Sequence, residues 1–251
     1  PLTLLALGLP IFLILLATVA VLLALFMNVP FTVVPQTMFG SIDKFSLLAV
    51  PFFIFAGEVM GQGGISERLI RWVLSMFGGI RGSLALTTVG ACEFFGAISG
   101  SSPATVAAVG RLLYPALREH GYEEKFALGL VTSSGAIASV IPPSILMILY
   151  GASAEQSVAA RFIAGFIPGI LIGLLMAVYI VIYARRRDLR GTERFRWATF
   201  GRATAQGVWA LGAPVVILGG IYTGIFTPTE AAGVAGIYGS LVTRFISRDI
   251  S

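Results

Sequence analysis

Two short polar interruptions of apolar sequence constrain this chain more than any other feature. One is the run Ser-Gly-Ser-Ser-Pro at 99–103, and the other is Ser-Val-Ile-Pro-Pro-Ser at 139–144, which contains the motif Ile-Pro-Pro-Ser at 141–144. Unpaired backbone polar groups are costly in hydrocarbon, so a broken helix persists at membrane depth only where protein or a water-filled cavity covers it. Paired broken helices are the sequence sign of a transporter's binding site.

The composition places the chain in a membrane. Hydrophobic residues make up 57% of the chain and charged residues 12%, whereas soluble domains carry about 25% charged residues. Basic residues cluster between apolar segments, chiefly at 185–202, as the positive-inside rule expects of cytoplasmic loops. The net charge of +5 is therefore no sign of a nucleic-acid partner. We predict an all-α polytopic membrane protein that is not an enzyme and has no organic cofactor.

The apolar segments predict the order of the spans. They lie at 2–26, 45–60, 83–110, 126–150, 162–183, 209–226 and 231–246, and an amphipathic segment at 66–77 either lies at the interface or crosses obliquely. Arg81 precedes residues 83–110 and Arg111 follows them. Both ends are then cytoplasmic, and we expect arms too short to span, so these residues predict a re-entrant helical hairpin with its tip at 99–102.

An internal repeat supports a transporter architecture. The paired positions share a constant shift of 163 and are Pro51 and Pro214, Gly57 and Gly220, Gly61 and Gly224, and Glu67 and Glu230. Odd numbers of crossings per unit give inverted repeats. We predict scaffold helices at 1–80, a first transport unit at 81–160 with the hairpin and the broken helix 126–150, a span and basic loop at 161–207, and the start of a second repeat at 208–251. Since the chain starts at Pro1 and stops where a second hairpin should begin, we expect a longer parent protein.

The interruption at 99–103 has the features of an ion and anion site. Gly100 permits the turn, while Ser102 suits an N-cap and Pro103 the first helical position. The new helix N-terminus carries partial positive charge and free N–H groups for a substrate carboxylate. The hydroxyl and carbonyl oxygens are hard donors that suit Na⁺ better than a transition metal. Close helix packing through small residues is the alternative.

The interruption at 141–144 predicts a cation site that faces the hairpin. Pro142 and Pro143 remove two amide donors and free the carbonyls of Ala138 and Ser139, four residues before each. A simple proline kink is the alternative. Glu93 lies within the apolar first arm, where a carboxylate is a functional hypothesis by default. It either couples transport to a proton or cation, or faces a wet crevice or the cytoplasmic end.

Five motifs in order resemble those of the large membrane subunit of tripartite ATP-independent periplasmic (TRAP) transporters. They are PFFIFAGEVMGQGG at 51–64, GAISGSSPATVAAVG at 96–110, PALREHGYEEKF at 115–126, IPPS at 141–144 and FTPTEAA at 226–232. The resemblance implies an elevator-type, Na⁺-coupled importer of organic acids in a bacterial or archaeal inner membrane. It also implies two protein partners, a small four-span membrane subunit and a periplasmic substrate-binding protein.

The resemblance also assigns roles to residues by position. The substrate contacts that we predict are Ser101, Ser102, Pro103, Thr105, Pro143 and Ser144. The Na⁺ ligands that we predict are Ser99, Gly100, Ser101, Ser102, Ala138, Ser139, Ile141 and Pro142. Glu93 matches no signature of the family. The alternatives are a stand-alone symporter of the related divalent-anion/sodium family and a structural or channel-like subunit that does not transport.

Overall fold

A computed structural model describes residues 2–26, 30, 32–189, 191–192 and 195–247. The described residues contain no strand, so the all-α prediction is confirmed. The helices are α1 (Leu2–Ala6), α2 (Ile11–Phe26), α3 (Val33–Ile42), α4 (Ala49–Gln62), α5 (Ile65–Phe77), α6 (Ser83–Ser99), α7 (Ser102–Glu119), α8 (Glu124–Ala136), α9 (Ile145–Ser153), α10 (Val158–Arg186), α11 (Trp197–Tyr222) and α12 (Pro228–Leu241). Turns of 3₁₀-helix occupy Phe45–Leu48 and Ile137–Ser139, and a π-helical turn occupies Val242–Ser247.

Three helical segments of the described residues are long and apolar enough to cross a membrane. They are Phe45–Gln62, Val158–Arg186 and Trp197–Tyr222. The amphipathic α5 has 13 residues, about 20 Å of helix, and is too short to cross alone. Hydropathy placed the start of α11 at 209, but the helix begins at Trp197, because its first turns are polar and still helical.

The chain divides into two compact units, Pro1–Lys44 and Phe45–Ser251. In the first unit the prediction of one span over 2–26 is wrong, because α1 ends at Ala6 and α2 begins at Ile11. Gly8 has a φ of +75°, and Pro10 has no amide hydrogen, so one continuous helix cannot run through them. The division into scaffold and transport segments stays a prediction.

In the second unit, the two copies of the sequence repeat are two helix pairs, α4 with α5 and α11 with α12. The two pairs pack against each other reciprocally. Helix α4 packs on α12, where Gly239 faces Met60. Helix α5 packs on α11, where Gly207 faces Trp72. The first helix of each pair therefore contacts the second helix of the other, as two-fold related copies require. This arrangement agrees with the repeat in the sequence, and its inversion across the membrane stays a prediction.

Helices α6 and α7 form the predicted hairpin. Their turn lies at Gly100 and Ser101, and the buried Tyr122 beyond α7 contacts the backbone of Ala85 in the first turn of α6. The expectation of short arms is wrong for the second arm, which runs to Glu119 rather than to 110 and has 18 residues. At about 1.5 Å per residue it approaches the hydrocarbon thickness. The prediction that the hairpin is re-entrant therefore rests only on the basic residues at its two ends.

Single-cysteine labelling tests that topology. In a Cys92→Ser background, we expect Glu119→Cys to react only with a thiol reagent applied from the cytoplasm. Ala154→Cys, in the exposed turn after α9, should react only from the periplasm, since residues 126–150 run outward. Reaction of the cysteine at 119 from the periplasmic side would contradict the re-entrant hairpin.

Candidate functional site

The hairpin tip and the broken helix are in direct contact. The Ile145 amide donates a hydrogen bond to the Gly100 carbonyl over 3.1 Å. Gly100 has a φ of +61°, and a Cβ on it would lie 2.6 Å from the Pro143 carbonyl oxygen. Glycine is therefore required here both for the left-handed conformation and for the close approach. The two interruptions of the sequence form a single structural unit.

Buried hydroxyls organise the inside of the tip. Ser99 and Thr105 are fully buried, and their hydroxyl oxygens lie 3.2 Å apart. The Thr105 hydroxyl also donates to the Ser101 carbonyl over 2.9 Å. Thr105 therefore holds the turn in shape from its inner side.

The N-cap of α7 lies one residue earlier than predicted. Ser101 is extended, with φ −122° and ψ 117°, and its hydroxyl accepts a hydrogen bond from the Ala104 amide over 3.4 Å. Ser102, predicted to be the cap, is the first residue of the helix, and Pro103 is the second. The Ser102 hydroxyl is half-buried and has no hydrogen bond to any residue that the structure describes.

The break in the second helix closes partly on itself. Ser144 caps α9, because its hydroxyl accepts from the Met147 amide over 3.4 Å. The same hydroxyl donates to the Ser139 carbonyl over 2.7 Å. The expectation that this carbonyl is free is therefore wrong, although its second lone pair remains. Within the described residues, no hydrogen-bond donor reaches the Ala138 carbonyl.

Glycines bring the surrounding helices onto the tip and the break. A Cβ on Gly57 of α4 would lie 2.7 Å from the Ser99 Cβ, and a Cβ on Gly96 of α6 would lie 2.7 Å from the Ala138 Cβ. Sequence reasoning missed both contacts, because a glycine in apolar sequence does not reveal its partner. The available signal was spacing, since Gly57 precedes another glycine by four residues and Gly96 precedes Gly100 by four. Small residues four apart mark close helix contacts in membranes.

Helix α10 presents a similar glycine face to the break. A Cβ on Gly165 would lie 2.6 Å from the Val140 carbonyl oxygen, and Gly169 is pressed against the side chain of Ile141. Gly173 continues this spacing and faces the carboxylate of Glu93. The helix predicted as a plain span therefore forms one wall of the candidate site.

Glu93 lies apart from the tip, on the side that faces α10. Its half-buried carboxylate makes no ion pair with any described residue. It lines an otherwise mostly apolar cavity of about 490 Å³ between α6, α10 and α11. The lining includes Ile141, Phe166, Ile170, Pro214 and Tyr222. Glu93 therefore contacts the α10 wall rather than the oxygens of the tip.

The donors at the tip and the break fit a hard cation better than a transition metal. Among the described residues, no group of three or more His, Cys, Asp and Glu side chains could hold a metal. The donors near the tip and break are neutral hydroxyl and carbonyl oxygens, which suit Na⁺. Ser134, fully buried on α8 before the break, has a hydroxyl without a hydrogen-bond partner in the described structure.

Comparison with known proteins identifies the family. Residues 2–251 match the family described as "Tripartite ATP-independent periplasmic transporter, DctM component". The chain belongs to this family. The family is one of transporter permeases rather than of enzymes, and the three apolar helical segments of the described chain agree with a membrane protein of this kind.

Several curated relatives are similar over most of the chain. An isethionate TRAP transporter permease protein of Oleidesulfovibrio alaskensis is 45% identical over 89% of this chain and 35% of its own length. An ectoine/5-hydroxyectoine large permease protein of Ruegeria pomeroyi is 43% identical over 86% of this chain and 50% of its own. A C4-dicarboxylate large permease protein of Vibrio cholerae is 41% identical over 86% of this chain and 48% of its own length. The TRAP permease chain spans half or less of the length of these relatives.

Replacing Gly100 by alanine should separate the tip from the break. Both Gly100 and Gly121 have a left-handed φ, +61° and +81°, but no atom lies near a Cβ on Gly121. Gly121→Ala therefore measures backbone strain alone, about 1–3 kcal/mol. Gly100→Ala adds a clash with the Pro143 carbonyl and should lower the thermal unfolding midpoint of the purified protein distinctly further. Equal losses in the two variants would contradict the contact.

A double-mutant cycle tests the contact between Glu93 and α10. Gly173→Ala should destabilise the protein by about 1–3 kcal/mol, because the new methyl group overlaps the Glu93 carboxylate. Glu93→Ala in the same chain should restore most of the loss. Gly129→Ala, in a helix where a Cβ meets no atom, is the matched control and should cost nothing. Additive effects of the Glu93 and Gly173 changes on the free energy of unfolding would contradict the contact.

Proposed function

We propose that this chain is part of the membrane subunit of a Na⁺-coupled, elevator-type transporter that imports an organic acid. The observation that carries the proposal is the hydrogen bond from the Ile145 amide to the Gly100 carbonyl, which joins two helix breaks into one polar site. Relatives are named for C4-dicarboxylates, isethionate and 2,3-diketo-L-gulonate, which are organic anions, and for ectoine, a zwitterion that carries a carboxylate. A small membrane subunit and a periplasmic binding protein would complete the transporter.

Two helix N-termini meet at Gly100 and supply the anion subsite. Helix α7 begins directly after Ser101, and α9 begins at Ile145, whose amide bonds Gly100. Helix N-termini carry partial positive charge, so they favour a carboxylate. Ser102 is the most direct ligand, because its hydroxyl has no other partner in the described structure. The buried Thr105 and Ser144 would hold this arrangement rather than face the solute.

Two helix C-terminal ends meet where Gly96 packs on Ala138, and they supply the cation subsite. Helix α6 ends at Ser99, and the 3₁₀ turn after α8 ends at Ser139. Carbonyls at helix C-termini carry partial negative charge. The Ala138 carbonyl and the remaining lone pair of the Ser139 carbonyl would bind Na⁺ together with hydroxyls such as Ser99. Discontinuous helices in transporters divide anionic and cationic ligands in this way.

Glu93 would act on coupling indirectly. Its contact with Gly173 lies between the hairpin and α10. An elevator movement of the hairpin along α10 would have to carry this carboxylate past the glycine face. A protonated or otherwise neutralised Glu93 would make that passage less costly.

Uptake into proteoliposomes tests the proposal. The complete transporter with its binding protein should accumulate a labelled organic acid when a Na⁺ gradient is imposed and stop when the gradient is dissipated. Ser102→Ala should reduce uptake at limiting solute by about ten- to a hundredfold, since a hydrogen bond to a charged group is worth about 1.5–3 kcal/mol. Ser133→Ala, on the exposed face of α8, is the matched control and should leave uptake unchanged. Equal uptake with and without the Na⁺ gradient would contradict Na⁺ coupling.

A further inference from the structure

A basic pocket lies away from the tip and the break, between α5 and the beginning of α11. Its volume is about 320 Å³. Arg71 reaches it from α5, and Arg196 and Arg202 reach it from the start of α11. Ser75 and Thr199 add hydroxyl groups, and no acidic side chain is part of the lining. Three arginines therefore line one cavity, and guanidinium groups suit an anionic ligand.

The positive charge of this pocket is poorly compensated by the rest of the described structure. Glu67 lies 3.9 Å from Arg71, but both side chains are more than half exposed, at 57% and 62%, so the pair is weak. Arg196 and Arg202 make no ion pair with a described acidic residue. Helix α11 also begins without a side-chain cap, so the positive end of its dipole adds to the positive potential.

Aromatic side chains fix the pocket and mark its level in the membrane. The Trp72 indole donates a hydrogen bond to the Thr204 hydroxyl over 3.0 Å and thereby ties α5 to α11. Phe195 packs edge-on against Trp197 with ring centroids 5.1 Å apart, although Trp197 is 78% exposed. Exposed tryptophans beside arginines are typical of the membrane–water interface, here on the cytoplasmic side by the positive-inside rule.

An apolar track leads from the pocket along α11. Arg202, Trp209 and Val216 are seven residues apart and therefore share one flank of the helix. Trp209 and Val216 are exposed, at 49% and 37%. A ligand whose phosphate sits among the arginines would find apolar surface directly below it. A soluble phosphate has no apolar group to contact this surface, whereas the acyl chains of a lipid would cover it.

We propose that this pocket binds the phosphate headgroup of an anionic phospholipid from the cytoplasmic leaflet. Arg196, Arg202 and Arg71 would contact the phosphate, and the acyl chains would lie along the Trp209 and Val216 flank. Basic pockets between membrane helices on this side are suited to such headgroups. The bound lipid would hold α5 against the start of α11, because its phosphate would offset the repulsion between Arg71 on one side and Arg196 and Arg202 on the other.

The test uses the complete transporter in nanodiscs of phosphatidylcholine, with or without phosphatidylglycerol. Thermal unfolding midpoints and the phosphatidylglycerol retained in native mass spectrometry are the two readouts. The Arg196→Gln/Arg202→Gln protein should lose the stabilisation by phosphatidylglycerol and retain on the order of tenfold less of it. The Arg185→Gln/Arg186→Gln protein is the control. It loses the same two positive charges as the pocket variant, but at exposed positions on α10, and it should respond to phosphatidylglycerol as the parent does.

A second variant covers the case in which the double arginine variant does not fold. Thr199→Glu keeps every arginine and places a carboxylate in the wall of the pocket, so it should also abolish the response to phosphatidylglycerol. Equal responses of parent, control and pocket variants would overturn the site in favour of general surface charge. An equal stabilisation by soluble glycerol phosphate in phosphatidylcholine discs would overturn the lipid as its ligand. No response of the parent to phosphatidylglycerol would overturn the proposal altogether.

Discussion

A helix broken inside a membrane leaves four carbonyls unpaired at the end of its first half and four amides unpaired at the start of its second half, and the hydrocarbon offers no water to bond them. In this chain one of these groups is paired between the two broken helices and another is paired within the break. The Ile145 amide at the start of α9 bonds the Gly100 carbonyl of the hairpin, and the Ser144 hydroxyl satisfies the Ser139 carbonyl across the break. The tip and the break are therefore joined by one backbone hydrogen bond, and each is also stabilised by hydrogen bonds of its own.

Close packing extends this constraint to the neighbouring helices. There is little hydrophobic driving force between helices in lipid, so they associate through van der Waals contact and polar bonds, which small residues permit. Gly57 admits Ser99, Gly96 admits Ala138, and Gly165 admits the backbone of Val140. A methyl group at any of these positions would push a helix away from the site. The glycines therefore belong to the site, although they offer no ligand.

The sequence predicts the features that depend on local backbone chemistry. Proline removes an amide wherever it stands and glycine permits a left-handed turn, so the hairpin tip and the break were predictable, and the structure places them where expected. The sequence could not predict features that depend on a distant partner or on a choice between two equivalent residues. Ser101 and Ser102 are chemically alike, and only the extended backbone of Ser101 makes it the cap. The bond between Ser144 and Ser139 depends on the path of the chain through the break.

In the proposed function, the arrangement of helix ends would let neutral residues couple a cation to an anion. In the proposed site, α7 and α9 present positive ends where α6 and the turn after α8 present negative ones. A Na⁺ and a carboxylate about 5 Å apart would attract each other by about 3 kcal/mol at an effective dielectric constant of 20. Because such coupling is reciprocal, the ion would raise the affinity for the solute as much as the solute raises that for the ion. Coupled binding would therefore need no charged side chain at the tip, which is why Glu93 can lie against α10.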